Sequence, residues 1–262
     1  MDKLLTLLVL LNIQTLATLS HPSDETPPQL DGRIIGGEST TIQQFPYQVS
    51  LRHNGFHFCG GSIYKSNIII TAAHCVKGED VTRLTVVAGS SYTNQGGIEL
   101  PVQNYTFHSK FSLLTCDYDV AVLLLQGEFS FSESIQPIEM ASSVSASRAG
   151  TSVTISGWGY LQEHGYPSDV LQYVVVNTIS EAECVDAYPR LFTDRMICAR
   201  AKNKDACNGD SGGPMVVAGR LAGIVSWGNG CADPKYPGVY SNVAILRSWI
   251  EENTLELLKQ LK

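Results

Sequence analysis

Three short segments carry the residue types of nucleophilic catalysis: TAAHC at 71–75, CDYDVAVLLL at 116–125 and CNGDSGGP at 207–214. A serine hydroxyl such as that of Ser211 is a poor nucleophile, because almost none is ionised at neutral pH. It needs an adjacent base to take its proton during attack. Imidazole titrates near working pH, which suits His74 to that task. The imidazolium that forms needs a fixed anion behind it, and a buried carboxylate also sets the tautomer. Asp119 stands immediately before the apolar run Val120–Leu125, where a strand would hold it rigidly; Asp117, two residues earlier, is its competitor. Each residue alone has an ordinary reading. A single histidine is more often surface or core than catalytic, which is how we read His21, His53, His57, His108 and His164, and an isolated DSG is a common turn.

The three segments together, in the order His, Asp, Ser, resemble the chymotrypsin–trypsin family of serine peptidases, and the resemblance runs from Ile34 to about Trp249. It implies a triad of Ser211 as nucleophile, His74 as its base and Asp119 orienting that base, with Asp117 a solvated loop residue. It further implies that the backbone N–H groups of Gly209 and Ser211 converge on the developing oxyanion, one such donor being worth roughly 3–4 kcal/mol. Glycine at 209 allows a backbone conformation and a close substrate approach that a Cβ would hinder.

The same resemblance implies a switch at Arg33-Ile34-Ile35-Gly36-Gly37. Cleavage after Arg33 would free the Ile34 ammonium to pair with Asp210, and a carboxylate held in the interior is costly without such a partner. Asp205, six positions before Ser211, falls where the trypsin branch has the aspartate at the floor of its primary specificity pocket, and so implies cleavage after Arg or Lys. Ser226, Trp227 and Gly228 match the pocket wall, and Gly238 matches a second glycine that leaves room for a long side chain. The stretch ARAKNKDA between Cys198 and Cys207 is shorter than in typical digestive members and lacks their glycines. The outer wall of the pocket therefore departs from the family pattern.

Matched positions imply the disulfides Cys59–Cys75, Cys184–Cys198 and Cys207–Cys231, each closing a loop worth about 3 kcal/mol by chain entropy. Cys116 is left over of the seven cysteines; the family pattern puts it near the wall of the second substrate subsite, and burial and partial exposure are both open to it. No metal and no cofactor is expected: no CxxC pair occurs, and AGSSYTNQGG at 88–97 lacks the acidic ligands of the family's calcium loop. Asn104-Tyr105-Thr106 is a glycosylation sequon.

The positioning elements read as β-structure. Short β-branched or aromatic runs at Tyr47–Leu51, Asn67–Thr71, Leu84–Val87, Val120–Leu125, Ser152–Ser156, Val170–Val176 and Arg220–Val225 alternate with glycines at 55, 60, 61, 96, 97, 127, 150 and 219. That pattern predicts an all-β barrel or sandwich. The resemblance narrows it to two six-stranded antiparallel β-barrels with the active site between them and a C-terminal α-helix. Helical spacing runs from Ser241 to Leu261, with Val243, Leu246, Trp249, Ile250, Leu255 and Leu258 on its face. ASSVSASRAG at 141–150 reads as a connector between two β units.

Residues 1–20 read as a signal peptide, with Ala17 an alternative cleavage position, since the apolar core Leu4–Leu11 is too short to span a membrane. Residues 21–33 are polar, proline-rich and unable to build a core, leaving 34–262 as the peptidase domain. The net charge of −7 argues against a nucleic-acid partner. Loss of residues 1–33 removes four acids (Asp2, Asp24, Glu25, Asp31) and two bases (Lys3, Arg33), for a mature charge of −5. Expected partners are protein or peptide substrates, an activating protease and protein inhibitors. A secreted, extracellular monomer without membrane attachment is expected. A processing protease of narrow specificity, or a catalytically silent binding protein, is the alternative.

Overall fold

The computed structural model describes residues 37–143, 148–160, 167–201, 209–230 and 235–261. Arg33, Ile34, Asp205, Cys207 and Cys231, with the proposed leader and activation segments, lie outside them. After a two-residue strand β1 (Glu38–Ser39), six antiparallel strands form a closed barrel. Around the ring these are β2 (Gln48–His53), β3 (Phe56–Lys65), β4 (Ile68–Thr71), β7 (Ala121–Leu125), β6 (Ile98–Phe107) and β5 (Leu84–Ala88), which returns to β2. A second ring contains β8 (Ser152–Gly157), β9 (Gln172–Thr178), β10 (Met196–Arg200), β13 (Gly238–Asn242), β12 (Arg220–Trp227) and β11 (Pro214–Val217). It closes through β8, which pairs with both β9 and β11, while β1 extends the edge of β9. Two six-stranded antiparallel barrels are the fold class expected from the sequence.

Burial explains why particular segments became strands. Every residue of β7 is buried on both faces, so its sequence is a continuous apolar run. In β9 burial alternates, with Val174 and Val176 inward and Val175 outward, as a half-buried strand requires. The hairpin between β2 and β3 turns at Asn54-Gly55, both with positive φ (52° and 84°), the geometry that favours Asn-Gly. Gly60 and Gly61, expected among the turns, instead lie in the middle of β3. Close approach is the reason: a Cβ at Gly60 would sit 3.0 Å from Gly213 Cα, and one at Gly61 would meet Ile69 and Val49.

Two α-helices complete the fold. α1 (Glu181–Ala187) opens with a capping box in which Ser180 and Glu183 satisfy each other's backbone N–H groups. α2 (Val243–Lys259) lies within the predicted span, and Val243, Leu246, Ile250 and Leu257 join the core of the first barrel. Trp249 packs partly buried against the same core, but Leu255, placed on the inner face by spacing, is 60% exposed. No helix among the described residues is long and apolar enough to cross a membrane.

Candidate active site

The pairing of β4 with β7 brings the first two candidates together. Thr71 stands opposite Ala121, so the antiparallel register carries the chain after Thr71 alongside the chain before Ala121. His74 lies there in a single 3-10 turn, Ala73–Cys75, and Asp119 faces it. The Asp119 carboxylate is completely buried, and three donors meet it. His74 N–H reaches Oδ1 at 2.9 Å, His74 Nδ1 reaches Oδ2 at 2.7 Å, and the Ser226 hydroxyl donates to Oδ2 at 2.6 Å. A buried carboxylate needs such compensation. With Nδ1–H directed at Asp119, the lone pair of the imidazole is left on Nε2 of a side chain that is 24% accessible.

Ser211 belongs to the second barrel, on the turn before β11. Its carbonyl accepts from Gly60 N–H at 2.7 Å, and Gly60 adjoins Cys59, whose disulfide reaches Cys75 beside His74. Gly212, at φ +78°, packs against Thr71 and the N–H of Ala72; a Cβ there would overlap Thr71 Oγ1 and the Gly60 carbonyl. Ser211 is thereby fixed beside the strand end that carries His74. No hydrogen bond joins His74 to Ser211 among the described residues. Pairs of this kind commonly tighten only when substrate arrives.

Asp210 is fully buried, and its Oδ1 accepts from Gly159 N–H at 2.8 Å. Glycine is required at 157 and 159 because a Cβ on either would collide with that carboxylate. Gly209 has φ +91° and its carbonyl bonds to His57 Nε2 at 3.1 Å. His57, read from sequence as an ordinary surface or core residue, therefore helps to fix the backbone beside Ser211. No local sequence signal marks it. Its Nδ1 lies 2.8 Å from Ser50 Oγ, so Nε2–H donates to Gly209 while Nδ1 accepts from the serine.

Burial lowers the pKa of His57 to about 4, with the Gly209 carbonyl opposing the shift. The unfolded chain, with His57 near 6.5, thus binds more protons than the native one between those values. Stability contributed by the neutral ring is complete above pH 6.5 and is lost as pH falls toward 4. We expect the melting temperature to decline over that window, and to decline less in His57→Gln, by calorimetry across pH.

Of the matched specificity residues, Ser226 and Trp227 end β12 and Gly238 begins β13. Gly228 and Gly238 face each other: a Cβ on Gly228 would lie 3.9 Å from Gly238 Cα. Ser226, matched to the pocket wall, also has the carboxylate contact described above, which the sequence did not reveal. Asp205 and the Cys207–Cys231 pair fall outside the described residues, whereas the Cys59–Cys75 and Cys184–Cys198 bonds are formed. With Cys59 and Cys75 joined, the sulfurs near His74 offer no thiolate to a metal. Cys116 is free and half-buried; burial, with Asp119 nearby, pushes its thiol up to about 11. Asp117 corrects an expectation: it is no solvated loop acid but is 17% exposed and gripped by Arg195.

Comparison with known proteins agrees with this geometry. A family model described as Trypsin matches residues 34–250. Trypsin delta of Drosophila melanogaster is 48% identical over 231 residues, 86% of this chain and 90% of its own. Trypsin alpha of the same species is 49% identical over 228 residues, covering 85% and 88%. Hypodermin-B of Hypoderma lineatum is 45% identical over 230 residues, covering 86% and 89%.

Proposed function

The chain belongs to the trypsin family of serine endopeptidases, and on that premise we propose that it is a secreted precursor, activated by cleavage after Arg33, that hydrolyses peptide bonds following Arg or Lys. The observation that carries the reading is the buried Asp119 holding His74 Nδ1 at 2.7 Å, on the strand end against which the Ser211 turn packs.

Ser211 Oγ attacks the scissile carbonyl while His74 Nε2 takes its proton, and Asp119 stabilises the imidazolium. The tetrahedral oxyanion is met by the N–H groups of Gly209 and Ser211, preorganised donors that need no rearrangement as charge develops. His74 then gives the proton to the departing amine, leaving an acyl group on Ser211. Water, deprotonated by the same imidazole, releases the acid and restores the serine.

Activation rests on Asp210. The new Ile34 ammonium pairs with this buried carboxylate and orders the oxyanion turn and the pocket. By its match to the trypsin pattern, Asp205 would form the floor of that pocket, with walls at Ser226, Trp227 and Gly228 and with Gly238 keeping it open. An apolar substrate side chain would leave the Asp205 carboxylate unpaired, which selects against it. The substrates are proteins or peptides; an activating protease and protein inhibitors are the remaining partners, and the enzyme acts as an extracellular monomer. A cleavage-site profile of the activated protein on a mixed peptide library tests the pocket. We expect cuts after Arg and Lys, and a loss of about 100-fold or more in kcat/KM at those sites in Asp205→Ser. Unchanged preference in the variant would remove Asp205 from the pocket; cuts mainly after Tyr or Leu would refute the specificity and leave the triad standing.

A further inference from the structure

The loop that delivers Asp119 is backbone of an unusual kind. Cys116 and Tyr118 both have positive φ (50° and 56°), though neither is Gly, Asn or Asp. The left-handed region costs a residue with a Cβ roughly 1–2 kcal/mol, so two such residues within three positions persist only if something outside the loop holds them.

The holding group is Arg195, in the second barrel just before β10. Its Nε and Nη2 donate to Asp117 Oδ1 and Oδ2, both at 2.8 Å, a bidentate fork on the residue between the two left-handed positions. Thr193 Oγ1 and Tyr118 N–H donate to Oδ1 of the same carboxylate at 3.0 and 2.9 Å. The Arg195 guanidinium also lies 4.6 Å from the Tyr118 ring centroid, and the His108 ring stacks on Tyr118 at 4.2 Å. Burial alone would raise the Asp117 pKa, but the bonds from Arg195 and Thr193 outweigh it and the carboxyl is held below its ordinary value. Arg195 is itself anchored, since its carbonyl accepts from Asn242 N–H at the start of α2. One residue before Asn242, Ser241 Oγ donates to the Asp119 carbonyl at 2.8 Å.

We propose that Arg195 is a positioning residue for the catalytic carboxylate: by gripping Asp117 and covering Tyr118 it holds the strained 116–118 backbone, and so fixes the direction in which Asp119 presents Oδ2 to His74. Asp119 and His74 both come from the first barrel. Ser226, Ser241 and Arg195 all come from the second. The carboxylate is thus aimed by one barrel at a base carried by the other. This rests on the triad reading above.

The test compares Arg195→Leu, Arg195→Lys and Asp117→Asn with Asp119→Asn, all in the cleaved protein with an amide substrate. A small misplacement of a catalytic group is enough to lower turnover steeply. We expect kcat to fall about tenfold in Arg195→Leu and Asp117→Asn with KM nearly unchanged. The Arg195→Leu/Asp117→Asn double variant should fall no further than either single one, because the two residues act as a pair. Arg195→Lys keeps the charge but not the fork, and should lose nearly as much. The low-field proton resonance of His74 Nδ1–H should broaden or disappear in these variants at temperatures well below their melting points, where they are fully folded, a change that a merely structural role would not produce. If Arg195→Leu does not fold, Asp117→Asn, which is nearly isosteric, decides alone. Wild-type kcat and an unaltered His74 resonance in folded variants would overturn the proposal. An active Asp119→Asn would instead overturn the triad on which it rests.

Discussion

Replacing His74 by alanine in the cleaved protein lowers kcat on an amide substrate by on the order of 10⁶-fold, while the melting temperature stays within a few degrees of wild type. The two halves of that expectation have separate origins. The structural contacts at residue 74 belong largely to the backbone: its N–H to Asp119 Oδ1 at 2.9 Å survives any substitution, and the Cys59–Cys75 bond beside it is untouched. Asp119 also keeps the Ser226 hydroxyl on Oδ2. What vanishes is the one group able to take the Ser211 proton and return it to the leaving amine. Ser211 is then left un-ionised at neutral pH, and only binding and the oxyanion donors continue to act. Rates measured with the variant over weeks-stable, inhibitor-cleared preparations check this; a loss of less than about 100-fold would mean that another base serves Ser211.

Arg33→Gln produces a protein that is secreted and folded but stays below about a thousandth of the activity of the cleaved enzyme, whatever trypsin-like protease it is exposed to. The expectation follows from Asp210. Its carboxylate is fully buried, with Gly159 N–H on Oδ1 and glycines at 157 and 159 leaving it room, and it immediately precedes Ser211. On the activation proposed above, the Ile34 ammonium would pair with that charge, and without the cut the turn bearing the Gly209 and Ser211 N–H groups would stay unfastened. Loss of oxyanion donors alone is worth 10²–10³-fold, and distortion of the pocket adds to it. Activity toward a small amide, compared between the variant and wild type after the same protease treatment, checks the switch. Full activity with residue 33 uncut would overturn it.

How far the sequence reached can be traced residue by residue. β7 was plain because all five of its residues are buried, so nothing polar interrupts the run. β6 was not, because Ile98 and Pro101 are exposed and its register slips between Val102 and Asn104, which breaks any alternation. β3 was hidden by Gly60 and Gly61, which look like turn residues and are glycine because other chain segments lie against them. α1 did carry a local sign, the Ser180-x-x-Glu183 capping box, in a helix too short for periodicity to show.

The candidate site divides in the same way. Each of its three segments is local in sequence, so His74, Asp119 and Ser211 could be named from their neighbours. The residues that hold them could not: Ser226 on Asp119, His57 on Gly209 and Arg195 on Asp117 are contacts across 107, 152 and 78 positions. Asp117 shows the consequence. The family resemblance made it a solvated loop acid, and a partner from the other barrel turns it into a fixed anion.

The account stands or falls on Ser211 as the activated nucleophile, and a serine-directed phosphonylating reagent reads this directly. The cleaved protein is treated with the reagent, digested and mapped by mass spectrometry, alongside its His74→Ala variant. The account predicts one adduct per molecule, on Ser211, forming in step with loss of activity, and none in the variant over the same time. Inactivation without an adduct on Ser211, or equal labelling when His74 is absent, would contradict it.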